Sequence, residues 1–232
     1  MILISLPNDY DNTVIFEAVR KNQLEIVKKL IEKGTDVNLQ NKWGYAPLHV
    51  AASVAASMEN FDIVLELLKN GANPHLLNSV NETPIYIVMN NDRTKVINTE
   101  LAIALISNGE SVNYVYDTNK TLLYLAMNYD IEIATKLLEY GALPNVQNSL
   151  GLTPLMIATK LRKVNHVRLL LSYGADTNIK DSYGRTAMHF AVETLNPNKK
   201  IVSDLLENKA DIYIKDRLGN TPAEKLRFLN RF

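Results

Sequence analysis

Apolar residues fall in short blocks along this chain, at helical spacing, and each block is fenced by turn-forming residues. The stretch 148–181 shows the pattern in full. Asn148 to Leu152 are turn residues, with Gly151 where a positive φ is expected. Thr153 then precedes Pro154. A hydroxyl that can cap, followed by a proline pre-set for the first turn, predicts a helix start. The apolar positions predict one helix from Leu155 to about Lys160 and a second from about Asn165 to Ser172, with Val167, Leu170 and Leu171 on one face. Gly174 stands where a helix end favours a left-handed residue, and Asp176, Asn178 and Asp181 lead out through turns.

The unit recurs. Gly34, Gly71, Gly109, Gly141 and Gly174 each follow a Leu/Ile-rich block, at spacings of 37, 38, 32 and 33 residues, and Lys209 takes the matching place 35 residues on. The helix starts share a motif: Ala46-Pro47-Leu48-His49, Thr83-Pro84, Thr153-Pro154-Leu155, Thr186-Ala187-Met188-His189 and Thr221-Pro222. A period near 33 with this motif resembles the ankyrin-repeat family, over nearly the whole chain. The resemblance implies an all-α fold, an ankyrin-repeat solenoid of stacked helix pairs with β-hairpin-like turns. It sets out one domain over 1–232: an N-terminal cap (1–40), repeats at about 41–77, 78–115, 116–147, 148–180 and 181–215, and a C-terminal cap (216–232).

The repeats are irregular. The cap's helices are expected over Thr13 to Val19 and Leu24 to Glu32, with Glu17, Arg20 and Lys21 giving the wetter face that a terminal repeat needs. Residues are added near Ser57 to Phe61, Asn90 to Glu100 and Asn196 to Lys200, each between the two helices of a repeat. Such additions are either tolerated slack, since lengthening a loop costs little, or decoration of a binding edge. Asn81 and Asn119 replace the turn glycine, and Asn is the next residue to tolerate a left-handed turn. Val88-Met89 and Ala126-Met127 replace the small pair Ala51-Ala52, so repeats three and four are expected to be the weakest links.

Composition narrows function. Twenty-five acidic and 25 basic residues cancel, so charge offers no footprint for nucleic acid or an anionic membrane. The absence of cysteine excludes disulfides, thiolate catalysis and Cys-based metal sites, and fits a reducing cytoplasmic setting. The N-terminal apolar run is too short for a signal peptide or a membrane span. No phosphate loop, dinucleotide fingerprint, zinc-protease or nucleophile-elbow motif occurs, so no cofactor, metal or catalytic residue is expected. His49 and His189 stand in the motif. The resemblance gives that histidine structural bonds to the preceding Thr and neighbouring backbone, and Ala46 cannot supply the Thr bond for His49.

What remains is recognition. In ankyrin proteins the turn tips and the exposed side of the first helices line a concave partner-binding face. Carried onto this chain, that face comprises Lys42, Trp43, Tyr45, Val80, Glu82, Lys120, Leu150, Leu152, Tyr183, Arg185 and Leu218 at the tips, and Tyr129 and Leu161 at first-helix ends. The residue before the Gly place reads Trp43, Val80, Thr118, Leu150, Tyr183, Leu218, five of six apolar where a solvated tip would be polar. That row is read as a protein-binding stripe rimmed by Lys42, Glu82, Lys120 and Arg185; the plainer reading packs it on the neighbouring turns. The frame around Asn38 and Asn178 is similar to that of ankyrin proteins that are asparaginyl-hydroxylation substrates, and a plain turn role is the alternative.

The functional expectation is a non-catalytic scaffold that is monomeric alone and binds another protein. The alternative is a host-directed viral or intracellular-bacterial effector or inhibitor acting in the host cytoplasm on a signalling protein or ubiquitin ligase. The irregular, Asn- and Lys-rich repeats resemble such proteins, and a ligase-adaptor role would need a separate partner because the repeats use up the chain. A targeting domain of an enzyme is the third reading.

Overall fold

The computed structural model describes residues 12–56, 61–90, 97–109, 111–193 and 197–229. The lead-in 1–10, residues 57–60, 91–96 and 196 of the three added segments, the turn side chain Thr118 and the terminal Asn230 and Arg231 lie outside the described residues or side chains. The chain divides into two compact units, Met1–Ser111 and Val112–Phe232.

The first unit holds α1 (Val14–Arg20), α2 (Leu24–Glu32), α3 (Pro47–Ala55), α4 (Asp62–Lys69), α5 (Pro84–Met89) and α6 (Thr99–Ser107). The cap helices thus fall where the apolar spacing put them. Each odd helix pairs with the even helix that follows, α3 packs between α1 and α5, and α2 packs on α4. Ile15, Leu48, Ala52, Val64, Leu67 and Ile85 form the dry interior. The second unit holds a 3₁₀ turn (Asp117–Asn119), α7 (Leu122–Ala126), α8 (Ile131–Glu139), α9 (Pro154–Lys160), α10 (Val164–Ser172), α11 (Ala187–Val192), α12 (Lys199–Glu207) and α13 (Pro222–Leu229). First helices α7, α9, α11 and α13 stack in order, as do second helices α8, α10 and α12. The large residues at the small-pair places are accommodated: Val88, Met89, Ala126 and Met127 are all buried.

Local chemistry sets the helix ends. Thr83, Thr121 and Thr153 each accept a hydrogen bond on Oγ1 from the backbone N–H three residues on, at 3.3–3.4 Å. Such a cap is worth about 1 kcal/mol. The second helices end on a left-handed residue, with Gly174 at φ 80° and Lys209 at φ 64°. The next N–H then reaches back to close the end: Ala175 to the Leu170 carbonyl and Ala210 to the Leu205 carbonyl, both at 3.0 Å. Among the described residues no strand forms. The hairpin-like character lies in the tips alone, where Asn41 N–H bonds the Tyr45 carbonyl at 2.9 Å and Asp181 N–H the Arg185 carbonyl at 2.8 Å.

Candidate protein-binding surface

Five of the six tips are rooted on one Asn or Asp. Asn41 Oδ1 accepts the N–H groups of Trp43 and Tyr45, both at 3.0 Å. Asn78 does the same for Val80 and Glu82, Asn148 for Leu150 and Leu152, Asp181 for Tyr183 and Arg185, and Asp216 for Leu218 and Asn220. One acceptor ties down two turn donors, so the exposed tip residue stands on fixed main chain. The sequence reading did not single out these anchors. Their signal is an Asn or Asp three residues before the Gly place. At the fourth repeat that place holds Tyr116, which offers no side-chain acceptor there, and the tip folds as the 3₁₀ turn instead. Tyr116 turns inward and meets Tyr114 edge-on at 4.8 Å.

Neighbouring tips are joined main chain to main chain. Ser79 N–H donates to the Trp43 carbonyl at 2.9 Å, Ser182 N–H to the Leu150 carbonyl at 3.0 Å, and Arg217 N–H to the Tyr183 carbonyl at 2.9 Å. This closeness is why glycine follows. A Cβ at Gly151 would lie 2.8 Å from Ser182 N, and one at Gly44 2.8 Å from Ser79 N. So Trp43 adjoins Val80 in the first unit, and Leu150, Tyr183 and Leu218 run in sequence in the second.

The stripe residues stay in water. Trp43 is 43% exposed, Val80 56%, Leu150 53%, Tyr183 57% and Leu218 86%. The rim is less uniform than expected. Lys42 lies over the Trp43 ring at 4.6 Å. Glu82 turns back to accept from its own tip anchor, Asn78 Nδ2, at 2.9 Å. Arg185 lies over the rings of Tyr183 and Phe190, at 5.2 and 4.4 Å, and pairs with the buried carboxylate of Asp181 at 2.9 Å. Tyr45 is half-buried edge-on against His49, and Lys120 and Leu152 are half-buried. Leu161 is exposed at the far end of α9, about 10 Å along the helix from the tips. Tyr129 is half-buried, and its carbonyl accepts from Lys163 Nζ at 2.8 Å and His166 Nε2 at 3.1 Å.

The histidines are occupied structurally. His49 Nδ1 accepts from Ala46 N–H at 3.0 Å, so the backbone supplies what the missing threonine could not, and Nε2–H donates to the Glu82 carbonyl of the next tip at 3.1 Å. His189 repeats this with Thr186 and the Asn220 carbonyl. Both rings are held neutral with the proton on Nε2. Burial pushes the imidazoles of His49, His166 and His189 below their ordinary value. Asn38 and Asn178 also join repeats. Asn38 Nδ2 donates to the Gly71 carbonyl and Oδ1 accepts from Asn73 N–H, while Asn178 bonds the Lys209 carbonyl and Asp211 N–H likewise. Their amides are thus linkers between repeats, more than turn formers. Among the described residues no group of three or more His, Asp or Glu could hold a metal ion, and no helix is long and apolar enough to cross a membrane.

Comparison with known proteins agrees with this geometry. Models of ankyrin repeats match residues 15–54, 52–148 and 122–216. The mouse 2-5A-dependent ribonuclease is 37% identical over 78 residues, 33% of this chain and 10% of that protein. A putative ankyrin repeat protein of fowlpox virus is 31% identical over 145 residues, 62% of this chain and 18% of that protein. A mimivirus counterpart is 38% identical over 82 residues, 34% of this chain and 48% of that protein. The chain therefore spans less than half the length of each of these relatives. Among solved structures, the ankyrin repeat domain of Bcl-3 matches with a TM-score of 0.72 at 23% identity, covering 95% of this chain and 99% of that one. A chain from the complex of a Bdellovibrio bacteriovorus predatory endopeptidase with an immunity protein matches with a TM-score of 0.68 at 28% identity, covering 88% and 100%. Ankyrin repeats serve as protein–protein interaction modules, and with its tip geometry and matched repeats this chain belongs to the ankyrin-repeat family.

Proposed function

We propose that the chain is a non-catalytic module that grips another protein through its exposed apolar tips. The observation that carries this is the exposure of Trp43 and Val80 in the first unit and of Leu150, Tyr183 and Leu218 in the second, on turns whose N–H groups the Asn or Asp beneath already holds. A monomer gains nothing from exposing them, whereas a partner that covers them gains the area. Tyr183 and Trp43 are the proposed anchors, being large rings with few rotamers to lose and a cation stacked on each. Three histidines are engaged in backbone bonds, which supports a role without chemistry of their own.

The test is affinity capture from a host-cell extract by the full chain, against Trp43→Ala and Tyr183→Ala, with circular dichroism to verify folding. Loss of the same captured protein in both variants supports the reading. Undiminished capture by both variants rejects it. A second reading, a host-directed effector acting in host cytoplasm, is favoured by the fowlpox and mimivirus relatives. Its test is whether the captured protein loses activity in a purified mixture; unchanged activity leaves only the scaffold.

A further inference from the structure

We infer that the tip face of the second unit takes an extended, acidic segment of a partner protein, with the segment's apolar side chains on Leu150, Tyr183 and Leu218 and its carboxylates on Lys180, Lys215 and Arg217. This rests on the gripping surface proposed above and adds the chemistry of what it grips. The neutral total of the chain hides a division. Residues 1–111 hold 9 basic and 13 acidic side chains, and residues 112–232 hold 16 and 12, so the two units carry formal charges of −4 and +4.

The positive excess reaches water at the tips. Lys180 and Lys215 stand one place before the anchors Asp181 and Asp216, and Arg217 one place after. All three are exposed, and no side-chain bond joins any of them to another described residue. The acids nearby are turned inward. Asp181 is buried and pairs with Arg185 at 2.9 Å. Asp216 Oδ1 accepts the N–H groups of Leu218 and Asn220, both at 2.9 Å, and Oδ2 accepts Asn220 Nδ2 at 3.3 Å. Asp176 and Asp211 are exposed, but they lie four residues back from Lys180 and Lys215, where each accepts the N–H two residues on. Lys160 and Glu193, exposed at the ends of α9 and α11, offset each other in charge.

The pattern of the segment follows from the spacing. Stacked helices stand about 8–10 Å apart, and successive tips with them. Three residues of extended chain span about 10 Å. An apolar residue at every third place therefore meets Leu150, Tyr183 and Leu218 in turn, and acids between them reach the three cations. A nucleic acid would also answer the charge, but it has little to stack on. Tyr183 is the one ring among the three tips, and the Arg185 guanidinium already lies over it at 5.2 Å.

The probe is a fluorescein-labelled, twelve-residue peptide of repeated Leu-Glu-Ser, titrated against the full chain by fluorescence anisotropy. Beside it run the same peptide with Gln or with Lys for Glu, and a twelve-nucleotide oligouridylate. The Glu peptide is expected to bind at least tenfold tighter than the other two peptides. It should weaken at least tenfold from 50 mM to 0.5 M salt, as the Debye length falls from about 14 Å to about 4 Å. Lys215→Glu combined with Arg217→Glu should weaken it at least tenfold, and Lys200→Glu on the exposed side of α12 less than twofold. Circular dichroism verifies that each variant is folded. Equal binding of the Glu and Gln peptides, or indifference to the paired reversal at the tip, overturns the inference; if Tyr183→Ala abolishes both bindings, the gripping surface stands and only its charge preference falls. No saturable binding of the Glu peptide at about 1 mM protein overturns it too, and the capture experiment then judges the surface itself. So does tighter binding of the oligouridylate. So does a salt-sensitive dimer in equilibrium sedimentation that Arg217→Glu abolishes, since the acidic first unit of a second copy would then be the occupant.

Discussion

Lys209 occupies a left-handed place that five of the six second helices give to glycine, and its φ is 64°. For a residue with a Cβ this conformation costs about 1–2 kcal/mol. Lys209→Gly removes that cost, offset by about 0.5–1 kcal/mol from the greater freedom of glycine in the unfolded chain. A few tenths more are lost with a cation at a helix C-terminus. The bonds at the site survive, because both are main chain: Lys209 N–H to the Leu206 carbonyl at 3.0 Å, and the Lys209 carbonyl to Asn178 Nδ2 at 3.0 Å. The net expected gain is about 0.5 kcal/mol, or about 1–2 °C in Tm for a chain of this size. It should be larger in 0.5 M salt, where the lost charge matters less (Debye length about 4 Å). Scanning calorimetry of wild type, Lys209→Gly and Lys209→Asn reads it, with Asn in between. A Gly variant that melts at or below wild type in high salt would refute the reasoning.

Gly151→Ala combines a φ of 74° with a Cβ 2.8 Å from Ser182 N, whereas Gly174→Ala meets only open space at φ 80°. The first should cost about 2–3 kcal/mol in urea unfolding and the second about 1; equal losses would mean that tip-to-tip contact is not what fixes the glycine. The buried histidines have folded-state values below their unfolded ones, so the unfolded chain binds protons first as pH falls. Their stability contribution is fully present above about pH 6.5 and is lost as pH drops below it toward the lowered folded values. The urea midpoint should therefore fall between pH 7 and 5.5, and a flat profile would contradict the assigned tautomers. α7 is the shortest α-helix described, and its tip lacks an Asn or Asp anchor, so its amides should exchange before those of α9 in hydrogen-exchange measurements. Uniform protection of the two helices would contradict this.

Much of the fold was legible because its signals are local. Apolar spacing placed α1, α2, α9 and α10 within a residue or so of their observed ends, and Thr-Pro and Gly marked the boundaries. The positive φ values of Asn81, Asn119 and Lys209 follow from their register alone. The tip anchors were not legible as such, since Asn and Asp abound in this chain and any one of them reads as a generic turn former. What distinguishes Asn41 or Asp181 is that one carboxamide or carboxylate oxygen meets two N–H groups, a fact of geometry. The bonds of the rim charges were not legible for the same reason. Nothing in the sequence says that Glu82 turns back to Asn78, or that Arg185 is committed to Asp181. Exposure of the stripe could be expected from register; its partner cannot, because recognition leaves no trace in a chain's own contacts.

The tips divide labour between main chain and side chain. The anchored tips are held by peptide groups and a recessed Asn or Asp, with His49 and His189 reaching the next tip's carbonyl, and the side chains of Val80, Leu150 and Leu218 enter none of these bonds. Substitution at positions 80, 150 and 218 should therefore leave the scaffold intact. A lineage selected through the proposed gripping surface would alter these sites long before touching the anchors beneath them.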